Sequence, residues 1–178
     1  PMIRNRKYRK QRGMFGGAIE QQMILAGAAI IVVGAVGTAY VLLGNSKAKT
    51  EWNMLDSLVT NIRDLYSGEA YPASDLSVPL IGNKRIGNMK TSGGNTLINQ
   101  YGGTVAPVGA TTNFTVTDPA VPQPDCIAIL KSVPASGYTS ISVNGGAAVT
   151  SFPIIEATAR TNCSVTSAAG NSIALTTQ

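Results

Sequence analysis

The residues that could do chemistry are few, and their types limit what the chain can do. It contains no histidine, which excludes Ser–His and Cys–His nucleophilic pairs and histidine-based metal sites. Its two cysteines, Cys126 and Cys163, lack the close spacing of a redox or zinc-binding pair. Asp125 precedes Cys126, but no base lies near it in the sequence. We therefore predict no catalytic, cofactor-binding or metal-binding residues.

The two cysteines have a structural use instead. In a chain exported past a membrane, an even pair of cysteines favours a disulfide bond. A bond between Cys126 and Cys163 would enclose 36 residues. On the chain-entropy model, closing such a loop stabilises the fold by about 3–4 kcal/mol. Two buried free thiols are the alternative.

Glu20 is the other unusual residue, because it stands at the edge of a long uncharged segment. No residue from Gln21 to Ser46 is charged, and Met23 to Leu43 is a nearly continuous apolar run of 21 residues. A helix of that length crosses the hydrocarbon core of a membrane. The run exceeds the apolar centre of a typical signal peptide, which favours a retained helix. Glu20 either lies at the lipid headgroups or enters an apolar environment, where it needs a cation as partner.

Positive charge is concentrated ahead of Glu20. Six of the fourteen basic residues lie in the first twelve positions, and residues 13–178 carry a formal charge of −1. A basic block before an apolar helix is typical of a segment that sets membrane orientation. Since the remaining chain offers no basic face for phosphates, we predict no direct nucleic-acid binding.

Three glycines, Gly27, Gly34 and Gly37, interrupt the apolar run. Each lowers helix stability in water by about 1 kcal/mol relative to alanine. They are candidates for helix flexibility, through close helix approach or local unwinding. Ordinary small-residue content of a membrane helix is the alternative.

The elements that must position these residues follow from periodicity. Apolar residues recur at steps of three and four from Trp52 to Tyr66 and predict an amphipathic helix, with Glu51 and other charged residues falling largely on its polar side. Ser67-Gly68 ends this helix. Residues 67–100 are predicted to form a long ordered loop with little regular structure.

The rest of the chain is rich in Gly, Ser, Thr, Asn and Val, which is typical of strands and turns. An apolar stripe predicts one short helix over Pro122–Val133. The predicted strands are Gly103–Pro107, Asn113–Thr117, Tyr138–Val143 and Ser172–Thr176. We predict an α+β fold in which a long N-terminal helix, first apolar and then amphipathic, packs on a small antiparallel sheet domain with one disulfide.

The order of these parts resembles a type IV prepilin, with a basic leader, an apolar helix that carries an early Glu, an amphipathic continuation and a β domain with two cysteines. More narrowly, the chain is similar to the type IVb pilins, especially the thin-pilus major pilins of conjugative plasmids and pathogenicity islands. The stretches that carry the similarity are LINQYGG (97–103), NFTVTD (113–118), VPQPDCIAIL (121–130), SISVNG (140–145) and NSIAL (171–175).

The resemblance implies a cleaved leader at 1–13, a transmembrane and filament-core helix at 14–44, an amphipathic helix at 45–67 and a globular pilin domain at 68–178. We place prepilin cleavage between Gly13 and Met14. This choice makes Glu20 the seventh mature residue, whereas the family pattern has Glu at the fifth. Cleavage after Phe15, Gly16 or Gly17 is the alternative.

The resemblance also implies a mechanism of assembly. Leader removal frees an α-amino group, and Glu20 pairs with that group on a neighbouring copy of the chain. The expected partners are further copies in a helical filament, a prepilin peptidase, the assembly platform and its ATPase, and a host or recipient cell surface. We expect methylation during maturation, the inner membrane as the location before assembly, and an extracellular pilus afterwards.

The predicted function is therefore that of a major pilus subunit, for adhesion or for mating-pair formation in conjugation, and not of an enzyme. The loop between Cys126 and Cys163 corresponds to the region that pilins expose on the filament surface. The alternatives are a minor pseudopilin of a secretion system, a membrane-tethered periplasmic binding module, and a secreted adhesin with an uncleaved anchor.

Overall fold

The computed structural model describes residues 46–178. Residues 46–65 are helical, and we call this segment α1. The further elements, in chain order, are α2 (Ser77–Gly82), β1 (Lys90–Ser92), β2 (Thr96–Ile98), β3 (Thr104–Ala110), β4 (Asn113–Val121), α3 (Gln123–Ser132), β5 (Ser140–Val143), α4 (Glu156–Asn162) and β6 (Asn171–Thr177). None of the helices within residues 46–178 has the length and apolar character needed to cross a membrane.

The strands form one sheet in the order β1-β2-β3-β4-β6-β5, and every neighbouring pair is antiparallel. Its last strand, β6, lies between β4 and β5 and is therefore an internal strand with neighbours on both sides. Beyond β5, Ile141 exchanges backbone hydrogen bonds with Val149, at 2.9 and 2.7 Å. The predicted α+β fold with a small antiparallel sheet is confirmed.

The core lies between α1 and one face of the sheet. Residues alternate between the two faces of β4 and β6, as the period of a strand requires. The inward residues are mostly apolar, with Asp118, Asn171 and Thr177 as the polar exceptions, whereas the opposite face carries mostly Thr, Ser and Ala. The fully buried side chains of this core include Leu55, Leu58, Ile62, Phe114, Val116, Ile173 and Leu175. The predicted apolar face of α1 is thus the buried one, with Trp52 and Tyr66 half-buried at its margins.

A bulge near the end of β4 places one extra residue opposite β6. The register passes from Asp118 opposite Ile173 to Val121 opposite Asn171. Ala120 has a φ of 62° at this point. A Cβ on Gly170 would lie 2.5 Å from the carbonyl carbon of Ala120, so only glycine fits there. The bulge leaves Asp118 facing the core beside the end of the strand.

Two parts of the sequence prediction need correction. Residues 67–100 contain α2 and the short strands β1 and β2, so this segment is not simply a loop. Helix α4 was not predicted at all. The four predicted strands are all present, although β3 and β4 continue for several residues beyond their predicted ends.

Candidate functional site

Of the predicted site residues, the two cysteines are the ones within the described part of the chain. The leader 1–13 and the apolar helix 14–44 are outside the described residues. The cleavage, assembly and helix-flexibility residues fall there too: Gly13, Met14, Glu20, Gly27, Gly34 and Gly37. The geometry available for a candidate site is therefore that of the domain and of helix α1.

The disulfide joins the start of α3 to the end of α4. Cys126 and Cys163 are bonded, with their Cα atoms 5.9 Å apart, and both are fully buried. Pro122 is the N-cap residue of α3, and the fixed φ of proline suits the start of a helix. Nearby, Gln123 Nε2 donates a hydrogen bond of 2.9 Å to the carbonyl oxygen of Cys163. The predicted disulfide is confirmed, and it closes off the segment that we call the disulfide-bounded region, residues 126–163.

An ion-pair network connects the opposite ends of the same two helices. Lys131 in the last turn of α3 places its Nζ 3.0 Å from Oε2 of Glu156, in the first turn of α4. Arg160, one turn further along α4, binds Oε1 of Glu156 at 2.6 Å. The hydrogen bond from Arg160, followed by that from Lys131, lowers the pKa of Glu156. The start of α3 is bonded to the end of α4, and the end of α3 is paired with the start of α4. The two helices therefore run antiparallel.

A shallow depression of about 430 Å³ lies between α4 and the segment after β5. Its lining residues are small and uncharged: Ala147, Ala148, Val149, Ala157, Thr158, Thr161 and Asn162. Ile155, directly before α4, is 67% exposed. A surface of this composition suits contact with another macromolecule through shape and apolar area, and it offers no general acid or base.

Helix α1 is attached to the domain by contacts spread from Trp52 to Arg63. Arg63 Nε donates to the carbonyl oxygen of Gln178 at 2.9 Å, and its Nη2 donates to the carbonyl of Gly137 and to Thr177 Oγ1. Tyr138 OH donates to Asp56 Oδ1 at 2.8 Å. The Tyr138 ring lies 5.7 Å from that of Trp52. These contacts fix the chain between α3 and β5, and the end of β6, against α1.

A group of polar side chains surrounds Glu51, in the amino-terminal part of α1. We call this group the acidic cluster, and it consists of Glu51, Asp118, Asp125, Asn99 and Tyr101. Glu51 and Asp118 are fully buried, and Asp125 is 6% exposed. Asn99 Nδ2 donates to Asp118 Oδ1 at 2.7 Å, and the Gln100 N–H donates to Glu51 Oε2 at 2.8 Å. The cluster brings together side chains from α1, β4, α3 and the turn after β2.

Burial dominates the electrostatics of this cluster. Burial, followed by the charge of Glu51, raises the pKa of Asp118 to about 7, against the opposing hydrogen bond from Asn99. Burial likewise raises the pKa of Glu51 and of Asp125. The pKa of Tyr101 rises through burial and then through the neighbouring charge of Asp125. Burial therefore favours the protonated form of all three acids, and most clearly that of Asp118.

Sequence reasoning placed Glu51 on the polar side of α1, and this placement was wrong. Its spacing along α1 indicated a solvated face, whereas its partner, the Gln100 N–H, is 49 positions away along the chain. Asp125 was considered only as a neighbour of Cys126, which is bonded to Cys163. Within the described residues, no group of three or more His, Cys, Asp or Glu side chains is arranged to hold a metal ion.

Comparisons with known proteins agree with this architecture. A family model described as PilS N terminal matches residues 45–178. A type IVb pilin from Salmonella typhi, of known crystal structure, is 24% identical, with a TM-score of 0.61 over 71% of this chain and 97% of that one. TcpA, a type IV pilin from the Vibrio cholerae El Tor biotype, is 17% identical, with a TM-score of 0.51 over 75% of this chain and 99% of that one. No curated protein sequence matches significantly.

The structural matches are below 25% identity and therefore establish a common fold. The family match covers well over half of the chain and includes α1, the sheet and both cysteines. A pilin family is one of structural proteins, in agreement with the prediction that the chain is not an enzyme. The chain belongs to the PilS N-terminal family, and its described domain has the fold of the type IVb pilins.

Proposed function

We propose that this chain is the major subunit of a type IVb pilus. A prepilin peptidase removes residues 1–13 between Gly13 and Met14. The apolar helix 14–44 then holds the subunit in the inner membrane until the assembly platform and its ATPase transfer it into a growing filament. There the apolar helices exchange lipid for one another, and the domain at 68–178 covers the outside.

The observation that carries this proposal is the family match over residues 45–178, which begins where the apolar segment ends. Residue 46 is already helical, and α1 is buried in the domain along its apolar face. Polymerisation through an upstream helix requires such a firm connection, because the domain must move with its helix. The contacts of Arg63 and Tyr138 supply that connection.

Glu20 sets the position of each subunit in this proposal. An ionised carboxylate in an apolar filament core is tolerated only when it is paired. The α-amino group of Met14 on an adjacent subunit is the cation that leader removal supplies. Pairing between these two groups favours one axial position of neighbouring helices over others.

The disulfide-bounded region is the part of the subunit that we assign to contacts with neighbouring subunits and with the host or recipient cell. The disulfide and the Lys131–Glu156–Arg160 network fix α3 and α4 as one unit. Its uncharged depression and exposed Ile155 provide the apolar area that such contacts use. We propose adhesion or conjugative mating-pair formation as the role of the filament.

Electron microscopy of filaments sheared from native cells tests the proposal, with the N-terminal residue read from the same sample. We expect long filaments made mainly of this chain, with Met14 as first residue. Glu20→Gln should lower the filament yield by at least about tenfold, the effect of losing about 1.4 kcal/mol, while the subunit stays in the membrane fraction. The matched control is Glu69→Gln, which changes an exposed acid of the domain.

Three results would contradict the proposal. A chain that remains a bilayer-bound monomer, or whose leader is never removed, has no route into the filament. A short periplasmic complex in place of long filaments would identify a minor pseudopilin of a secretion system. Normal filament yield from Glu20→Gln would remove the ion pair from the mechanism.

A further inference from the structure

Three consecutive residues of the turn after β2 meet three buried acids, one from each of three elements. Asn99 binds Asp118 of β4, and the backbone of Gln100 binds Glu51 of α1. The third residue, Tyr101, lies beside Asp125 of α3, whose charge acts on its hydroxyl. The turn is itself rigid, because Asn99 Oδ1 accepts hydrogen bonds from the N–H groups of Tyr101 and Gly103.

This arrangement is short of hydrogen-bond donors. Among the described residues, no donor reaches Oε1 of Glu51 or Oδ2 of Asp118, and both atoms are buried. The hydroxyl of Tyr101 is also buried without a partner of good geometry in this part of the chain. An ionised carboxylate can only accept hydrogen bonds. Two fully ionised acids would therefore leave acceptors unsatisfied in a low-dielectric environment, which is costly.

The other groups around the pair do not correct the shortage. The Tyr101 hydroxyl is a donor, but the carboxylate that acts on it most strongly is that of Asp125, ahead of Glu51 and Asp118. Lys47 is exposed, and its positive charge acts on Asp125. Asn99 donates one hydrogen bond to Asp118 Oδ1, and Gln100 donates one to Glu51 Oε2. Neither bond reaches the second oxygen of its carboxylate. A proton on one of the two acids is the simplest donor that fits.

We propose that Glu51 and Asp118 share one proton in the folded protein, and that this acid pair is a pH-sensitive lock between α1 and the sheet. With the proton present, the pair carries one negative charge and not two, and α1 stays packed on the sheet. When the proton leaves, two negative charges face each other in the core, and the amino-terminal part of α1 is pushed away from the sheet. The middle of α1 remains held by the bond between Tyr138 and Asp56, and its carboxyl-terminal part by Arg63.

The sign of the pH dependence follows from linkage. The pKa of Asp118 rises from an ordinary value of 3.8 to about 7 on folding. Between these values the folded state binds more protons than the unfolded state, so stability falls as pH rises. This direction is opposite to that of a carboxylate stabilised by a cation. The stability that the lock contributes is therefore greatest below the ordinary pKa of 3.8 and falls as the pH rises to about 7.

Urea unfolding of the full chain in detergent micelles, followed between pH 5 and pH 8, tests this inference. Trp52 is the single tryptophan of the sequence and lies next to Glu51 on α1, so its fluorescence reports on this contact. We expect the unfolding equilibrium constant of the parent to rise at least about tenfold over this range, since one pKa unit corresponds to a tenfold change. Asp118→Asn should remove most of this dependence, and Glu51→Gln should remove the smaller part that comes from the charge of Glu51.

The control is Glu69→Gln, an exposed acid in the loop after α1, which should keep the pH dependence of the parent. A parent stability that does not change between pH 5 and pH 8 would overturn the proposal. So would an unchanged slope in whichever of Asp118→Asn and Glu51→Gln folds. The lock concerns the domain alone, and filament formation is not needed for it to operate.

Discussion

At the scale of single residues, Asn99 organises more of the structure than its size indicates. Its side chain is 3% exposed. Its Nδ2 donates to Asp118 Oδ1 at 2.7 Å and to the Pro119 carbonyl at 2.6 Å. Its Oδ1 accepts from the N–H groups of Tyr101 at 3.0 Å and Gly103 at 2.6 Å. One amide thus joins the turn after β2 to the bulged end of β4.

We predict that Asn99→Ala lowers the free energy of unfolding by about 2–4 kcal/mol, because it leaves several buried polar groups without partners. Chemical denaturation of the full chain at pH 6 measures the change. Asn95→Ala serves as the control, since Asn95 is exposed in the turn between β1 and β2 and should change stability by about 0.5 kcal/mol or less. Equal effects of the two substitutions would show that the network contributes little.

The acidic cluster shows why single residues were harder to predict than elements. Glu51 stands at a position of α1 whose spacing indicated a polar face, and its burial depends on β4, α3 and the turn that contains Gln100. LINQYGG was recognised as a stretch typical of the pilins without any role for Asn99 or Tyr101. Local patterns do not reveal contacts among residues that are 49 or more positions apart.

At the scale of elements, periodicity predicted what is long and regular. The apolar face of α1, the helix α3 and the four strands β3 to β6 were all expected from their patterns. Helix α2 and strands β1 and β2 are only 6, 3 and 3 residues long, too short to show a period. Helix α4 escaped prediction because EATARTN contains one buried residue, Ala159, and therefore no apolar stripe.

The disulfide was predictable from composition and context, but the antiparallel helix pair that it joins was not. Both α3 and α4 expose polar or charged residues. Their arrangement relative to each other depends on contacts at the two ends of the pair. At one end are the disulfide and Gln123, and at the other is the Glu156 network. The network is exposed, so we expect it to contribute less than the covalent bond.

We predict that removing the bond by Cys126→Ala together with Cys163→Ala lowers the free energy of unfolding by about 3–4 kcal/mol, the entropy of the released loop. Hydrogen exchange should increase most in α3 and α4, and least in the centre of the sheet, β4 and β6. Glu156→Gln is the control for the other end of the pair and should leave exchange in the sheet unchanged. Mass spectrometry that finds two free thiols in the native protein would remove the basis of this prediction.

At the scale of the whole molecule, the attachment of the domain to α1 is separate from the surface that we propose for contacts with other molecules. Arg63, Tyr138 and the acidic cluster hold α1 on the inward side of the sheet. The depression beside α4 and the exposed Ile155 lie between residues 147 and 162, in a part of the disulfide-bounded region that makes none of those contacts with α1. A change at Ile155 should therefore alter assembly without loosening α1.

Ile155 allows a test in which stability and assembly move in opposite directions. It occupies the N-cap position of α4 without a side-chain cap, so Ile155→Ser adds the missing hydrogen-bond acceptor and should stabilise the domain by about 0.5–1 kcal/mol. The same substitution removes an apolar side chain that is 67% exposed, and we expect a lower filament yield in sheared fractions. Val108→Thr, a substitution at another exposed apolar position, on β3, should keep the parent yield. A lower yield from a more stable domain could not be explained by loss of folding. Parent yield from Ile155→Ser, with the domain still folded, would place the contact surface away from α4.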